Sequence, residues 1–322
     1  MARRDPTERR PWPSRGSLDE LPPARAISVR SADGTRLHAE VFGPADGYPV
    51  VLAHGITCAI RVWRHQIADL ARDHRVIAFD HRGHGHSDVP RRAGYTLDHV
   101  AADLDAVLDA TLKPGERAVI AGHSMGGIAI TSWADRYRHA VPRRADAVAL
   151  INTTTGDLLQ ELQLAQVPAA LAATRVRIAE GVIRAIGSRH VPRGARWTSR
   201  RFVAAMAVGA DAHPSVADFV YDLFAATPPE ARGGCARMLA DALGPEHIRL
   251  DGLTVPTLVI GSEKDRLLPI RQSRRIADAA PNLTDFVALS GGHCSILERP
   301  DEINRRLRDL IGMAAEERRA SS

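Results

Sequence analysis

Apolar residues fall along this chain in short, nearly unbroken runs separated by glycine-rich and charged turns. Eight runs read as strands: 26–31 (AISVRS), 37–43 (LHAEVFG), 49–54 (PVVLAH), 75–80 (RVIAFD), 117–122 (RAVIAG), 146–152 (DAVALIN), 256–261 (PTLVIG) and 284–290 (TDFVALS). The later runs lack polar alternation, as expected of strands covered on both faces of a parallel sheet. Between them, apolar residues recur every three to four positions over 61–72, 97–112, 125–139, 270–280 and 300–316, which predicts helices. Strand and helix alternate, so the class is α/β with a mostly parallel sheet. The alternation stops between Thr153 and Leu243, where the pattern is helical throughout. That stretch sits between two strands and reads as an insertion into the sheet domain. The expected organisation is a flexible arm at 1–24, a core of 25–153 and 246–316, a helical insertion at 154–245 and a short tail at 317–322.

Composition changes this picture little. The chain has 322 residues, 44% hydrophobic and 25% charged, as in ordinary globular proteins. No apolar run is long enough to span a bilayer, so no stable membrane insertion is expected. The arginine-rich start has no apolar stretch behind it, which argues against an export signal and for the cytoplasm. The net charge of +5 comes from basic residues scattered among acids, without a basic stripe or interleaved aromatics. Nucleic acid is therefore not an expected partner. Three cysteines, Cys58, Cys235 and Cys294, form no CxxC pair and suit a reducing compartment.

The chemistry starts at Val119–Ile130, VIAGHSMGGIAI. Gly122-His123-Ser124-Met125-Gly126 fits G-x-S-x-G between a predicted strand and a predicted helix. On so tight a turn the serine projects above the sheet, and only very small residues fit two positions before and after it. The helix that follows points its N-terminal amides toward the serine, and the Met125 N–H is placed to stabilise an oxyanion. A serine hydroxyl needs a base, and the base an orienter. GSEKDRLLP offers Asp265 after one strand, and SGGHCSILERP offers His293 after the next. Glu263 and Asp157 are alternative orienters. In LAHGIT, a reversal at His54-Gly55 presents the Ile56 N–H as a second oxyanion donor, and Thr57 and Cys58 follow as pocket residues.

Together HGIT, DHRGHGHSD (80–88), GHSMGG, GSEKD and GGHCSILERPDEIN resemble the α/β-hydrolase family. The resemblance implies an α/β-hydrolase fold: a mostly parallel eight-stranded sheet flanked by helices, with an all-helical cap inserted after strand 6. It implies Ser124 as nucleophile, His293 as base, Asp265 as acid, and Met125 and Ile56 at the oxyanion hole. It needs no cofactor and no metal. It also makes the 80–88 loop structural, with Asp80, Arg82 and Ser87 tying down the turn, rather than a metal site built from His81, His84 and His86. Trp63 reads as a packing residue, and the cap, with Phe219 and Phe224, as the roof of an apolar pocket.

The expected function is a serine esterase acting on small hydrophobic ester substrates, as a monomer or homodimer. The alternatives are a carbon–carbon bond hydrolase, a perhydrolase resembling non-haem haloperoxidases, and a non-catalytic ligand receptor.

Overall fold

The computed structural model describes residues 21–91, 94–161, 181 and 196–320. All but the last few residues of the expected arm, most of 162–195 in the expected cap, and residues 321–322 of the expected tail lie outside the described residues.

All eight expected strands form, with bounds displaced by one or two residues: β1 (Ala24–Arg30), β2 (Arg36–Phe42), β3 (Tyr48–Ala53), β4 (His74–Phe79), β5 (Ala118–His123), β6 (Ala145–Ile151), β7 (Thr257–Ser262) and β8 (Leu283–Leu289). They make one sheet in the order β1-β2-β4-β3-β5-β6-β7-β8. The β1–β2 and β2–β4 pairs are antiparallel, and every other pair is parallel. The central strands are apolar throughout because both faces are covered. Along β3, Val50 and Leu52 point to one core cluster and Val51 and Ala53 to the other. The first cluster is closed by Trp63, Ile67 and Leu70 of the Ile60–Leu70 segment and by Leu307 and Ile311 of the C-terminal helix Pro300–Ala320. The second is closed by Leu104 and Leu108 of Leu97–Thr111, Ile130 and Trp133 of Met125–Arg136, and Ile276 of Ile270–Ala279.

The expected helix at 61–72 is a 3-10 turn, Ile60–Trp63, running into Arg64–Leu70. A one-turn helix at Val141–Arg144 was not predicted, being too short to show a period. Between β6 and β7 the described residues form the helices Leu158–Glu161, Arg196–Ala207, Pro214–Ala226 and Pro229–Ala242. Met238 and Leu239 of the last of these pack on Met125 and Ile128, and Val216, Val220 and Leu223 pack against Cys58, Ile60 and Cys294. The insertion thus lies over the end of the sheet where β3, β5 and β7 finish.

The 80–88 loop is anchored by a buried ion pair. Arg82 Nε and Nη2 each donate to Asp103 at 2.6 Å, and Nη1 donates to the Gly94 carbonyl at 2.6 Å and to Asp33 at 2.9 Å. Neither side chain of the Arg82–Asp103 pair is solvent-exposed. Removing one partner leaves a charge uncompensated in the interior. Asp103→Ala is therefore expected to destabilise the fold by about 3–5 kcal/mol. Urea unfolding checks this, with Asp251→Ala, which removes one of the two carboxylate partners of exposed Arg138, leaving the midpoint in place.

Candidate active site

β5 ends on His123 and the next helix begins at Met125, so Ser124 alone makes the reversal, at φ 53° and ψ −120°. A non-glycine residue at positive φ persists only where its surroundings hold it there. Here the Ser124 N–H donates to the Ile151 carbonyl at 3.0 Å. Its own carbonyl accepts from Gly127 N at 2.9 Å and Thr153 Oγ1 at 2.8 Å. A Cβ at Gly122 would lie 2.5 Å from the Gly126 carbonyl carbon, and one at Gly126 would enter the Ala53 carbonyl. The two glycines are there for lack of space.

His293 and Asp265 meet as the sequence predicts: His293 Nδ1 lies 2.8 Å from Asp265 Oδ2. The Asp265 carboxylate is held further by the amides of Leu267 (2.9 Å) and Leu268 (2.8 Å) and by Asn152 Nδ2 (2.9 Å). Asn152, itself at φ 46°, accepts from Ser295 Oγ at 2.5 Å. With Nδ1 committed to a carboxylate, His293 keeps Nε2 as its acceptor. The two alternative orienters stand elsewhere. Glu263 is exposed, and Asp157 pairs with His247 at 3.1 Å and with Arg275 at 2.5 Å.

His123 contributes more than a place in the turn. Its Nε2 donates to the His293 carbonyl at 2.8 Å, and the two rings lie 4.9 Å apart. The residue before the serine therefore latches the loop that carries the histidine. The sequence gives no sign of this, because the partners are 170 positions apart.

Gly55 packs against the serine, where a Cβ would lie 3.0 Å from Ser124 Cβ. The loop around it is braced by the 80–88 turn. His54 Nδ1 donates to the Gly55 carbonyl (2.7 Å) and its Nε2 accepts from His81 N (3.0 Å). His84 Nδ1 donates to the Arg82 carbonyl (3.0 Å) and its Nε2 accepts from Thr57 N (3.0 Å), with Thr57 at φ 59°. Asp80 accepts from the amides of Ile60 and His86, each at 2.8 Å. The 80–88 loop is structural, as expected of Asp80, Arg82 and Ser87, and its histidines add the brace that the sequence reading missed. His81 and His84 turn inward, whereas His86 lies with His38 and Asp80, their donor atoms within 4.8 Å of one another.

Ser124, His293, His123, Ile56, Thr57 and Cys58 line one cavity of about 230 Å3. Met125 is buried beneath it, and as the first residue of its helix its N–H has no intrahelical acceptor. Much of the described lining is apolar and comes from the cap: Phe202, Val203, Met206, Val220, Phe224 and Leu239. Phe219 corrects the expectation for the roof. It packs outside the cavity under the Arg64 guanidinium, 4.3 Å from its ring centre. Trp63 is fully buried in the core, with its ring edge-on to His123. Burial pushes the Cys58 thiol up to about 12 and the Cys294 thiol well above its ordinary value, so both act as small neutral wall residues.

The two bracing histidines, His54 and His84, must be neutral, since each uses Nε2 to accept an amide proton. Burial agrees: it lowers His54 well below the usual 6.5, His81 to about 3 and His84 to about 4, and it lowers His123 to about 3. Below pH 6.5 the unfolded chain takes up protons that the folded one refuses. The stability these groups supply is complete above pH 6.5 and drains away as pH falls. Four such groups give a slope of up to about 5 kcal/mol per pH unit. The urea midpoint is expected to be flat above pH 7 and to fall steeply from 6.5 to 5, less steeply in His84→Gln. A wild-type midpoint that holds down to pH 5 contradicts this account of the brace.

Residues 48–300 match the family model described as the alpha/beta hydrolase fold. A RutD protein of Variovorax paradoxus, named for carbamate hydrolysis, is 33% identical over 277 residues, covering 85% of this chain and 96% of that protein. 3-Oxoadipate enol-lactonase 1 of Acinetobacter baylyi is 25% identical, over 86% of this chain and 93% of its own length. Among solved structures, the enol-lactonase of Burkholderia xenovorans LB400 superposes with a TM-score of 0.70 at 26% identity, over 89% of this chain and all of that one. The eight-stranded sheet, the serine on its strand-to-helix turn and these likenesses agree: the chain belongs to the alpha/beta hydrolase family.

Proposed function

We propose that this protein is a serine hydrolase that cleaves carboxylic esters of hydrophobic acyl or alkyl groups through an acyl-enzyme. The observation that carries the reading is the 2.8 Å His293–Asp265 pair in the wall of a cavity that Ser124 also lines. A histidine oriented by a buried carboxylate, beside a serine on a strained turn, is an arrangement for making a hydroxyl nucleophilic.

In the proposed reaction, His293 Nε2 takes the proton of Ser124 as Oγ bonds to the ester carbonyl carbon. The carbonyl electron pair moves onto oxygen, and the N–H groups of Met125 and Ile56 stabilise the charge. Collapse re-forms the carbonyl and breaks the bond to the alkoxy oxygen, which leaves as an alcohol with the proton held by His293. Water then repeats the attack on the acyl-serine, its proton passing through His293 to the departing Ser124 oxygen, and the acid is released. Asp265 stays ionised throughout and steadies the imidazolium. Carbamate hydrolysis and lactone opening, the activities in the relatives' names, are also acyl transfers to water, which supports the class of reaction.

The test is steady-state hydrolysis of p-nitrophenyl esters of increasing chain length. Ser124→Ala is expected to lower kcat/KM by about 10⁴-fold or more, with an unchanged melting temperature. Residual activity above roughly one part in a hundred would show that Ser124 is not the nucleophile.

A further inference from the structure

The stretch GGHCSILERPDEIN carries His293, but its glutamate, Glu298, has no part in the proposed reaction. Glu298 ends the one-turn helix Ser295–Glu298 that follows the histidine, and it is only 9% exposed. Its Oε2 accepts from two backbone amides, Gly292 N at 2.8 Å and Gly209 N at 3.1 Å. Gly292 is the residue before His293. Gly209 follows the cap helix Arg196–Ala207, whose Val203, Met206 and Ala207 line the cavity. One carboxylate oxygen thus grips the cap and the loop of the candidate base together.

The two backbones meet closely there. A Cβ at Gly292 would lie 2.3 Å from Gly209 N, and the Cys294 amide donates to the Ala207 carbonyl at 3.0 Å. The clasp has a cost. Glu298 Oε1 is buried without a hydrogen-bond partner, and burial pushes the carboxyl above its ordinary value. An apolar side chain at 298 would avoid that cost but leave both amides without an acceptor. His293 is otherwise held from the sheet side, by Asp265 at Nδ1 and by His123 at its carbonyl. Glu298 is what brings the cap into its support.

We propose that Glu298 is a positioning residue for the reaction: by joining Gly292 to Gly209 it makes the placement of His293 depend on the seating of the cap. The proposal rests on the hydrolase reading and adds a coupling between the roof of the cavity and the general base. A substrate whose chain packs on Val203 and Met206 steadies the cap segment, and through Glu298 it steadies His293 as well.

The experiment measures p-nitrophenyl butyrate hydrolysis and amide hydrogen exchange on the full chain. Glu298→Ala is expected to lower kcat by about tenfold or more, with KM within about threefold, because a misplaced base is felt in the transition state rather than in binding. Glu298→Gln keeps an oxygen able to accept from both amides, and it is expected to recover most of that loss. Gly209→Ala presses on the clasp from the cap side, where its Cβ would lie 2.6 Å from Glu298 Oε2. It is expected to lower kcat in the same way, and it replaces Glu298→Ala if that variant does not fold. A kcat that either folded variant leaves unchanged, or a loss in Glu298→Gln as large as in Glu298→Ala, overturns the proposal. Hydrogen exchange keeps the two readings apart. The amides of Gly209, Gly292 and Cys294 are expected to exchange about tenfold faster or more in Glu298→Ala than in the wild type. Cys294 decides, because its acceptor is the Ala207 carbonyl and not Glu298. If no ester is turned over, the hydrolase reading fails by itself and exchange decides the case for Glu298. Faster exchange at Cys294 supports the clasp, and a Cys294 amide that keeps its wild-type rate overturns it.

Discussion

The reversal at Ser124 is the constraint around which this molecule is arranged. One residue turns the chain from a fully buried strand into a helix, at a backbone conformation that a serine adopts only under compulsion. The compulsion comes from three directions: the Ile151 carbonyl on the next strand, Thr153 beyond it, and the close approach of Gly122 to Gly126. Thr57 and Asn152, also at positive φ, flank the same place. Thr57 is held by His84, and Asn152 holds Asp265. Backbone strain thus gathers where the candidate chemistry is, supported by a sheet whose central strands are buried on both faces.

The second theme is neutral histidine used as a structural part. His54 and His84 act as paired donor and acceptor, spanning two loops that secondary structure does not join. His123 joins the turn to the His293 loop through one ring nitrogen, which donates to the His293 carbonyl. For His54 and His84 this choice ties the geometry of the loop around Gly55 to pH, because protonation removes the acceptor nitrogen on which each brace depends. A proton on His84 faces the Thr57 amide, adjacent to the Ile56 N–H on which the proposed oxyanion hole relies.

Much of the architecture was legible in the sequence. Short apolar runs marked all eight strands, and the central ones are continuous because a strand covered on both faces has no polar side, whereas β1 and β8 at the edges keep exposed residues. Ser124, Asp265 and His293 were legible as candidates because each sits in a short local pattern at the end of a strand. What escaped notice depends on contacts between distant residues. Asn152 reaches Asp265 across 113 positions, and His123 reaches the His293 carbonyl across 170. Phe219 was misplaced because helical periodicity shows that a residue faces inward, but not whether it meets the cavity or a neighbouring arginine.

The central claim is that Ser124 is an activated nucleophile, and intact-protein mass spectrometry after exposure to a fluorophosphonate tests it most directly. The reagent forms a stable adduct only with a serine that a neighbouring base has made reactive. The account predicts a single adduct on the wild-type chain and none on Ser124→Ala. An unlabelled wild-type protein, or an adduct that survives in Ser124→Ala, would mean that the fold holds its serine in place without the chemistry.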